Sequence, residues 1–376
     1  MIEVKNSLTS IATGASYGAL AKDGHARIAV EKAMRKMQPA TVGSVLLFLS
    51  AGYAHEPERA IKNAVVAAGT TQVFGCCAMG LLTEEDWLLD VEGAVAMVFP
   101  QDFSPTPLML AMQRKQQTPM VLCLSSPNAL GIAINSIEFD QIGAVASDEF
   151  GQGPFSVWQN GRIDEREFVY SALPESCSVS YAIAQSVKPI SPIYEINLCA
   201  NHSLIELDQQ PALESIYQNF QIEASSNSTV DELPFHLLAA VADSDEPEVI
   251  DKGQYRLMHV VSFDQKLGRI QLSDDIKPGQ FLFWAMRDHE HAEQLMRKSL
   301  QTEKDALVTA PKFGLMFPNL SRGAGFYNGR DRDFELFREV FPGLPLIGFY
   351  GHAEIAPGYL RSASSYFYTS VIGIIS

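Results

Sequence analysis

The chain has 376 residues, 47% of them hydrophobic, 10% aromatic and 19% charged, which supplies a large core and leaves little for long disordered tracts. At roughly 150 residues per domain, that length suggests two domains. With 28 Lys plus Arg against 44 Asp plus Glu, the formal charge of −16 argues against nucleic-acid and anionic-membrane partners.

The five cysteines (Cys76, Cys77, Cys123, Cys177 and Cys199) form no CxxC pair, and their odd number argues against a disulfide framework. MIEVKNSLTS lacks the features of a secretory signal, and apolar runs such as GSVLLFLSAGY fall short of the roughly 18 residues of a spanning helix. A soluble, reduced, cytoplasmic protein is expected.

In chain order, short apolar runs alternate with amphipathic stretches. SVLLFLS (44–50) reads as a buried strand and EPERAIKNAVVAA (56–68) as a helix with Pro57 in its first turn. TQVFGCCA, GAVAMVF, PMVLCLS and IGAVAS read as further strands. Asn160-Gly161 marks a hairpin, with FVYSAL as the continuation of its returning strand. Pro189 and Pro192 suggest a crossing between domains near residue 190. Beyond it, LIELDQQPALESIYQNF predicts strand, turn and helix, and EASSNSTVDE (223–232) an exposed loop. Strands follow at YRLMHVVSF, RIQL and GQFLFWAM, then a helix over 287–300. FGLMF, helix DRDFELFREVF, PLIGFYG and YFYTSVIGII complete the pattern. No close internal repeat stands out. The expected fold is α/β in two domains, 1–190 and 191–376, each a mixed sheet flanked by helices.

Several residues are candidates for chemistry. Gly14-Ala15-Ser16-Tyr17-Gly18 spells G-x-S-x-G, but it lacks the buried strand and sharp turn that a nucleophile elbow needs. An enzyme is not expected. SRGAGFYNGR (321–330) places Gly323, Gly325 and Gly329 between strand and helix, where amides can cradle an anion beside Arg322 and Arg330. The plainer alternative is a loop whose glycines only permit positive φ. His289 and His291 lie two apart on a helix, roughly 200° around it, and cannot share a metal. His259, within RLMHVVSF, and His352, after PLIGFYG, sit in apolar contexts. Such an imidazole is either a hydrogen-bonded core residue or the kind of ligand haem requires. Glu354 is a candidate base, partner for a ligand amine, or support for His352. Cys76 and Cys77 point to opposite faces of a strand and read as structural.

In order, SVLLFLSAGYA, VFGCCAMGLLTE, IGAVASDEFGQGPFSVWQNGRI, LIELDQQPALESIY, KPGQFLFWAMRDHEHAEQ, FGLMFPNLSRGAGFYNGR and LPLIGFYGHAEIAP resemble the FIST proteins, which pair an N-terminal and a C-terminal sensory domain. The chain departs from the family where a cysteine and glycine often precede the closing arginine; here Asn319 and Ser321 precede Arg322. Ala353 replaces the usual glycine before the signature glutamate.

The resemblance implies a small-ligand sensor acting on a partner in trans. It is similar to stand-alone members that bind b-type haem, respond to nitric oxide and regulate a histidine kinase. On that analogy His352 is the expected iron ligand, with His259 second. The alternative is a haem-free receptor for an amino acid or related metabolite, with Arg322 on its carboxylate, Glu354 on its ammonium, and Gly323 and Gly325 allowing close approach. Self-association into a homo-oligomer is left open.

Overall fold

A computed structural model describes residues 10–38, 40–220 and 237–376. The loop expected at 223–232 lies outside the described residues. The chain forms two compact units, Met1–Ile183 with Arg297–Ser376, and Ala184–Met296. The boundary expected near 190 lies just past the first crossing. The second, near Met296, falls inside one helix and leaves no change of texture in the sequence.

The first unit contains three copies of one pattern, which corrects the expectation of no internal repeat. Repeat 1 consists of β1 (Ala12–Gly18), α1 (Gly24–Lys36), β2 (Val42–Ser50), α2 (Glu58–Ala68), β3 (Val73–Ala78), the hairpin β4 (Leu81–Thr83) and β5 (Trp87–Leu88), and β6 (Glu92–Pro100). Repeat 2 follows the same order. It comprises β7 (Thr106–Pro107), α3 (Leu108–Gln113), β8 (Val121–Ser125), α4 (Leu130–Asn135), β9 (Gln141–Val145), hairpin β10 (Val157–Gln159) and β11 (Arg162–Ile163), and β12 (Phe168–Ala172).

Repeat 3 opens with β13 (Val179–Gln185) and is then interrupted. The intervening chain holds β14 (Val187–Pro189), β15 (Tyr194–Ala200), β16 (Ser203–Leu207), β17 (Gln210–Pro211), α5 (Ala212–Phe220), β18 (Leu237–Ala242), α6 (Pro247–Asp251), β19 (Tyr255–Asp264), β20 (Arg269–Leu272) and β21 (Phe281–Arg287). The pattern resumes with α7 (His289–Ala306), β22 (Phe313–Pro318), α8 (Arg332–Val340), β23 (Leu346–Phe349), hairpin β24 (Glu354–Gly358) and β25 (Arg361–Tyr366), and β26 (Thr369–Ile375).

The sheet orders show how the repeats interlock. They are β1-β6-β2-β3-β10-β11, β7-β12-β8-β9-β24-β25 and β13-β26-β22-β23-β4-β5. Each sheet takes its central strands from one repeat and its final hairpin from another, so the exchange closes a ring of three. Each has a parallel pair at its centre: β2–β3, β8–β9 and β22–β23. The junctions match, with Cys77 N–H donating to Ser156 O (3.0 Å), Val145 N–H to Ala353 O (2.9 Å) and Tyr350 N–H to Gly80 O (3.0 Å).

One glycine recurs at the same register: Gly75 opposite Leu47, Gly143 opposite Cys123, and Gly348 opposite Met316. A β-carbon there would lie 1.7, 1.8 and 1.7 Å from the facing carbonyl oxygen, so only glycine lets the parallel strands close.

The inner faces of the three sheets share one core. Leu46, Phe48 and Cys76 meet Leu122, Leu124 and Ile142, and also Leu315, Phe317, Ile347 and Phe349. The Phe48 and Phe349 rings meet edge to face at 4.7 Å. Burying each such side chain contributes about 1.5–3 kcal/mol. Alternate residues face outward: Val45, Leu47 and Leu49 pack beneath Ala29 and Val30 of α1 and Ile61 and Ala64 of α2. Burial on both faces is why these strands read as unbroken apolar runs. Cys76 lies in the inner core and Cys77 in the outer layer, as their alternation predicts.

Asn160-Gly161 forms the expected hairpin, but the returning strand is Arg162–Ile163, while Phe168–Ala172 pairs with β8. In the second unit β21-β15-β16-β20-β19-β18 close through β18–β21 into a small barrel around Leu204, Ile270, Leu282 and Trp284. The architecture is mixed α/β. Among the described residues no helix is long and apolar enough to cross a membrane.

Candidate functional site

Where the parallel strands end, the three repeats present comparable groups. Each first strand runs out at a polar residue three positions beyond the one that faces the recurring glycine: Ser50, Ser126 and Asn319. Ser50 Oγ donates to Glu92 Oε2 at 2.5 Å, and Ser126 Oγ to Glu167 Oε2 at 2.5 Å. In repeat 3, Asn319 Nδ2 donates to Glu354 Oε1 at 3.0 Å. Glu92 and Glu167 are half-buried, whereas Glu354 is fully buried.

Glu354 occupies the place where the other hairpins put Leu81 and Val157, each following the carbonyl of Gly80 or Ser156 that takes the junction hydrogen bond. Both are core residues. A carboxyl therefore replaces an aliphatic side chain at one of three equivalent core positions. Burial pushes it well above its ordinary pKa, against the opposing hydrogen bonds from Asn319 and the Thr369 backbone N–H.

Arg322 follows Asn319 in the turn after β22 and is fully buried. Its guanidinium grips Asp333 through Nε–Oδ2 (2.5 Å) and Nη2–Oδ1 (3.0 Å). Tyr327 donates to Asp333 Oδ1 at 2.7 Å. Desolvation opposes the Arg322 charge, and Asp333 beside it more than restores it. Asp331 caps α8 by accepting from Phe334 N–H at 2.8 Å and accepts from the Tyr350 hydroxyl. Burial, and then Asp333, push Asp331 up to about 6. Arg322 is thus already paired, and a ligand carboxylate would have to displace Asp333. Gly323 packs beside the Tyr350 ring, while Gly325 is exposed with open space around it.

His352 stands at the mouth of this cluster, partly exposed. Its carbonyl accepts from Asn319 Nδ2 at 3.1 Å. Its Nε2 lies 3.0 Å from Asp148 Oδ1 and 3.2 Å from Asp148 N. Partial burial works to raise the Asp148 carboxyl. The bonds from His352 and from the Gly153, Gln152 and Gly151 amides outweigh it and hold the group below its ordinary value. Axial ligation of haem needs an unclaimed imidazole nitrogen in an apolar pocket. The Nε2 of His352 is claimed by a carboxylate, and His259 lies on the exposed side of β19 in the barrel unit. In this arrangement neither residue offers an unclaimed Nε2 in an apolar pocket. Among the described residues no three His, Cys, Asp or Glu side chains gather to hold a metal ion.

Ser16 sits in the middle of β1, regularly paired opposite Ala94, rather than on a sharp turn. Its Oγ lies 2.9 Å from His25 Nδ1. Asp148, Asp331, Asp333 and Tyr350 were not singled out in the sequence. Two of them carried a signal, since Asp331 stands at the cap position of a helix and Asp148 precedes a Gly-x-Gly loop.

Two family models match consecutive stretches, the FIST N domain over residues 44–210 and the FIST C domain over residues 213–357. The uncharacterized protein Rv0628c of Mycobacterium tuberculosis (strain ATCC 25618 / H37Rv) is 22% identical over 216 residues, 57% of this chain and 56% of that protein. The chain thus spans little more than half the length of that relative. The uncharacterized protein Mb0898c of Mycobacterium bovis is 22% identical over 330 residues, 86% of this chain and 80% of its own. The matched segments hold the parallel strands of all three repeats and the polar cluster at their ends, and the chain carries a FIST N and a FIST C domain.

Proposed function

We propose that this protein is a haem-free sensor of an amine-bearing metabolite, an amino acid or a close relative, bound at the Asn319–Glu354 end of repeat 3. One observation carries the reading: Glu354 stands where the other two repeats have Leu81 and Val157. A fully buried carboxyl at an otherwise aliphatic position is expensive, and such departures from local consistency concentrate at functional sites. Its partners are all donors, Asn319 Nδ2 and the Thr369 backbone N–H. An arriving ammonium would supply the charge those donors lack. The carboxylate half of the ligand cannot rely on Arg322, which Asp333 holds. Output passes to a partner protein in trans, for which the family resemblance suggests a histidine kinase.

The test is thermal shift and calorimetry with amino acids, simple amines and their amine-free analogues, on wild type and Glu354→Leu. A ligand at a hundred times its Kd stabilises by about 2.7 kcal/mol. The leucine copies the other repeats, so the fold is expected to persist while the shift disappears. If millimolar amines cause no shift, or a shift survives in Glu354→Leu, the reading fails. A stoichiometric Soret band on haemin addition, lost in His352→Ala, would replace it with the nitric-oxide sensor.

A further inference from the structure

Apart from the barrel that interrupts repeat 3, the repeats differ where the second parallel strand hands over to the exchanged hairpin. Between β3 and β4 the connection is Met79–Gly80, two residues, and between β23 and β24 it is Tyr350–Ala353, four. Between β9 and β10 it runs from Ala146 to Ser156, eleven residues. Repeat 2 therefore carries an insertion at a junction the other repeats cross almost directly.

The inserted segment is ordered around one carboxylate. Asp148 accepts from the amides of Gly151 (2.6 Å), Gln152 (3.0 Å) and Gly153 (2.8 Å), and the turn is completed by Gly151 and Gly153 at φ of +68° and +79°. The segment's ends are bonded to repeat 1, with Met79 N–H donating to Ser147 Oγ at 3.0 Å and Ser156 Oγ donating to Ala54 O at 2.9 Å, and further contacts run to the strand end of repeat 3. Asp148 Oδ1 meets His352 Nε2, the Phe155 ring stands edge-on to the His352 ring at 5.9 Å, and Ser147 Oγ donates to Tyr350 O at 2.5 Å. Phe150, on the same segment, is 74% exposed. His352 is joined in turn to the buried pair, since the amide of Asn319 that holds Glu354 also donates to the His352 carbonyl.

We propose that Asp148–Phe155 is a lid over the Asn319–Glu354 pair, fastened by the contact between Asp148 and His352. The repeat with the longest junction places it against the repeat whose strand-end carboxyl is fully buried. A loop of no consequence would have no reason to meet that position. The lid also answers how a fully buried group receives a ligand: one side-chain contact is released, and no core strand has to separate. What the lid admits rests on the receptor reading above, but its existence does not.

Hydrogen exchange of the full-length protein without ligand tests this, on wild type, His352→Ala and Asp148→Asn. Releasing the latch is expected to speed exchange at Gly151, Gln152 and Gly153 by about tenfold or more. The Thr369 amide, bonded to the Glu354 carboxyl, is expected to accelerate with them, while amides in the centres of β2 and β22 stay unchanged. Acceleration confined to 151–153 would make the segment a surface loop and overturn the proposal, as would no acceleration in either variant. Because no ligand enters the measurement, failure to find one leaves this result standing, and a negative exchange result leaves ligand binding open to its own test.

Discussion

Asp331 offers a direct test of the electrostatics around α8. Its carboxyl is 1% exposed, and burial followed by Asp333 raises its pKa from the ordinary 3.8 to about 6. A raised carboxyl favours the protonated form in the folded state, so stability is lost as pH rises between the unfolded and folded values. Two pKa units correspond to about 3 kcal/mol, the cost of keeping this group ionised at pH 7.5. A carboxamide at this position would mimic the protonated acid: its oxygen can still accept from Phe334 N–H, and its nitrogen can donate to the Tyr350 hydroxyl. Asp331→Asn is therefore expected to stabilise the protein at pH 7.5 by about 1–3 kcal/mol. That advantage should shrink by about 2 kcal/mol at pH 4.5, where native Asp331 is protonated. Urea denaturation of both proteins at the two pH values measures the difference. A variant less stable than wild type at pH 7.5, or an advantage independent of pH, would refute the assignment of strain to this carboxylate.

Gly348→Ala is expected to cost about 3 kcal/mol or more, because the new β-carbon meets the Met316 carbonyl, and Gly75→Ala and Gly143→Ala should behave alike in the same denaturation assay. Arg322→Met, with Asp333 left buried and uncompensated, is expected to lose about 3–5 kcal/mol, and the double variant with Asp333→Leu to recover part of it. Trp158→Phe should cost little, since the buried Trp158 Nε1 has no hydrogen-bond partner and removing that donor offsets lost packing. Trp284→Phe should cost about 1–2 kcal/mol more, because its Nε1 donates to Ser215 Oγ at 2.9 Å, which thermal unfolding of both variants can compare.

The elements themselves were legible because their periodicity is strong. The α2 helix is present and starts at Glu58, with Pro57 at its cap rather than inside its first turn, the strands of the parallel pairs are the continuous apolar runs, and Asn160-Gly161 turns with both residues at positive φ. The threefold pattern was not legible, although its marker is present three times in Phe74-Gly75-Cys76, Ile142-Gly143-Ala144 and Ile347-Gly348-Phe349. A glycine inside a strand signals close backbone approach only when the facing strand is known. The spacing of the repeats is also uneven, because the barrel interrupts the third. Pairing between distant segments sets that topology, and a one-dimensional pattern does not record it.

The candidate site was half legible for a related reason. Arg322 and Glu354 were singled out together, and the structure does place them in one buried cluster, but with partners that alter their meaning. Arg322 is matched to Asp333, eleven residues along the same chain and reached through the first turn of α8. Glu354 has no such match. Its position is intelligible only beside Leu81 and Val157, the residues that two other hairpins bring to equivalent places from far away in sequence. His352 likewise looked like a histidine in an apolar setting because its neighbours in sequence are apolar. Its neighbour in space is Asp148, contributed by the insertion in repeat 2. A charge balanced locally is a poor guide to a binding site, whereas a charge that breaks a repeat and meets another repeat's insertion marks where selection has worked against stability. That combination occurs at Glu354, and it makes this residue, more than Arg322 or either histidine, the place to look for the ligand.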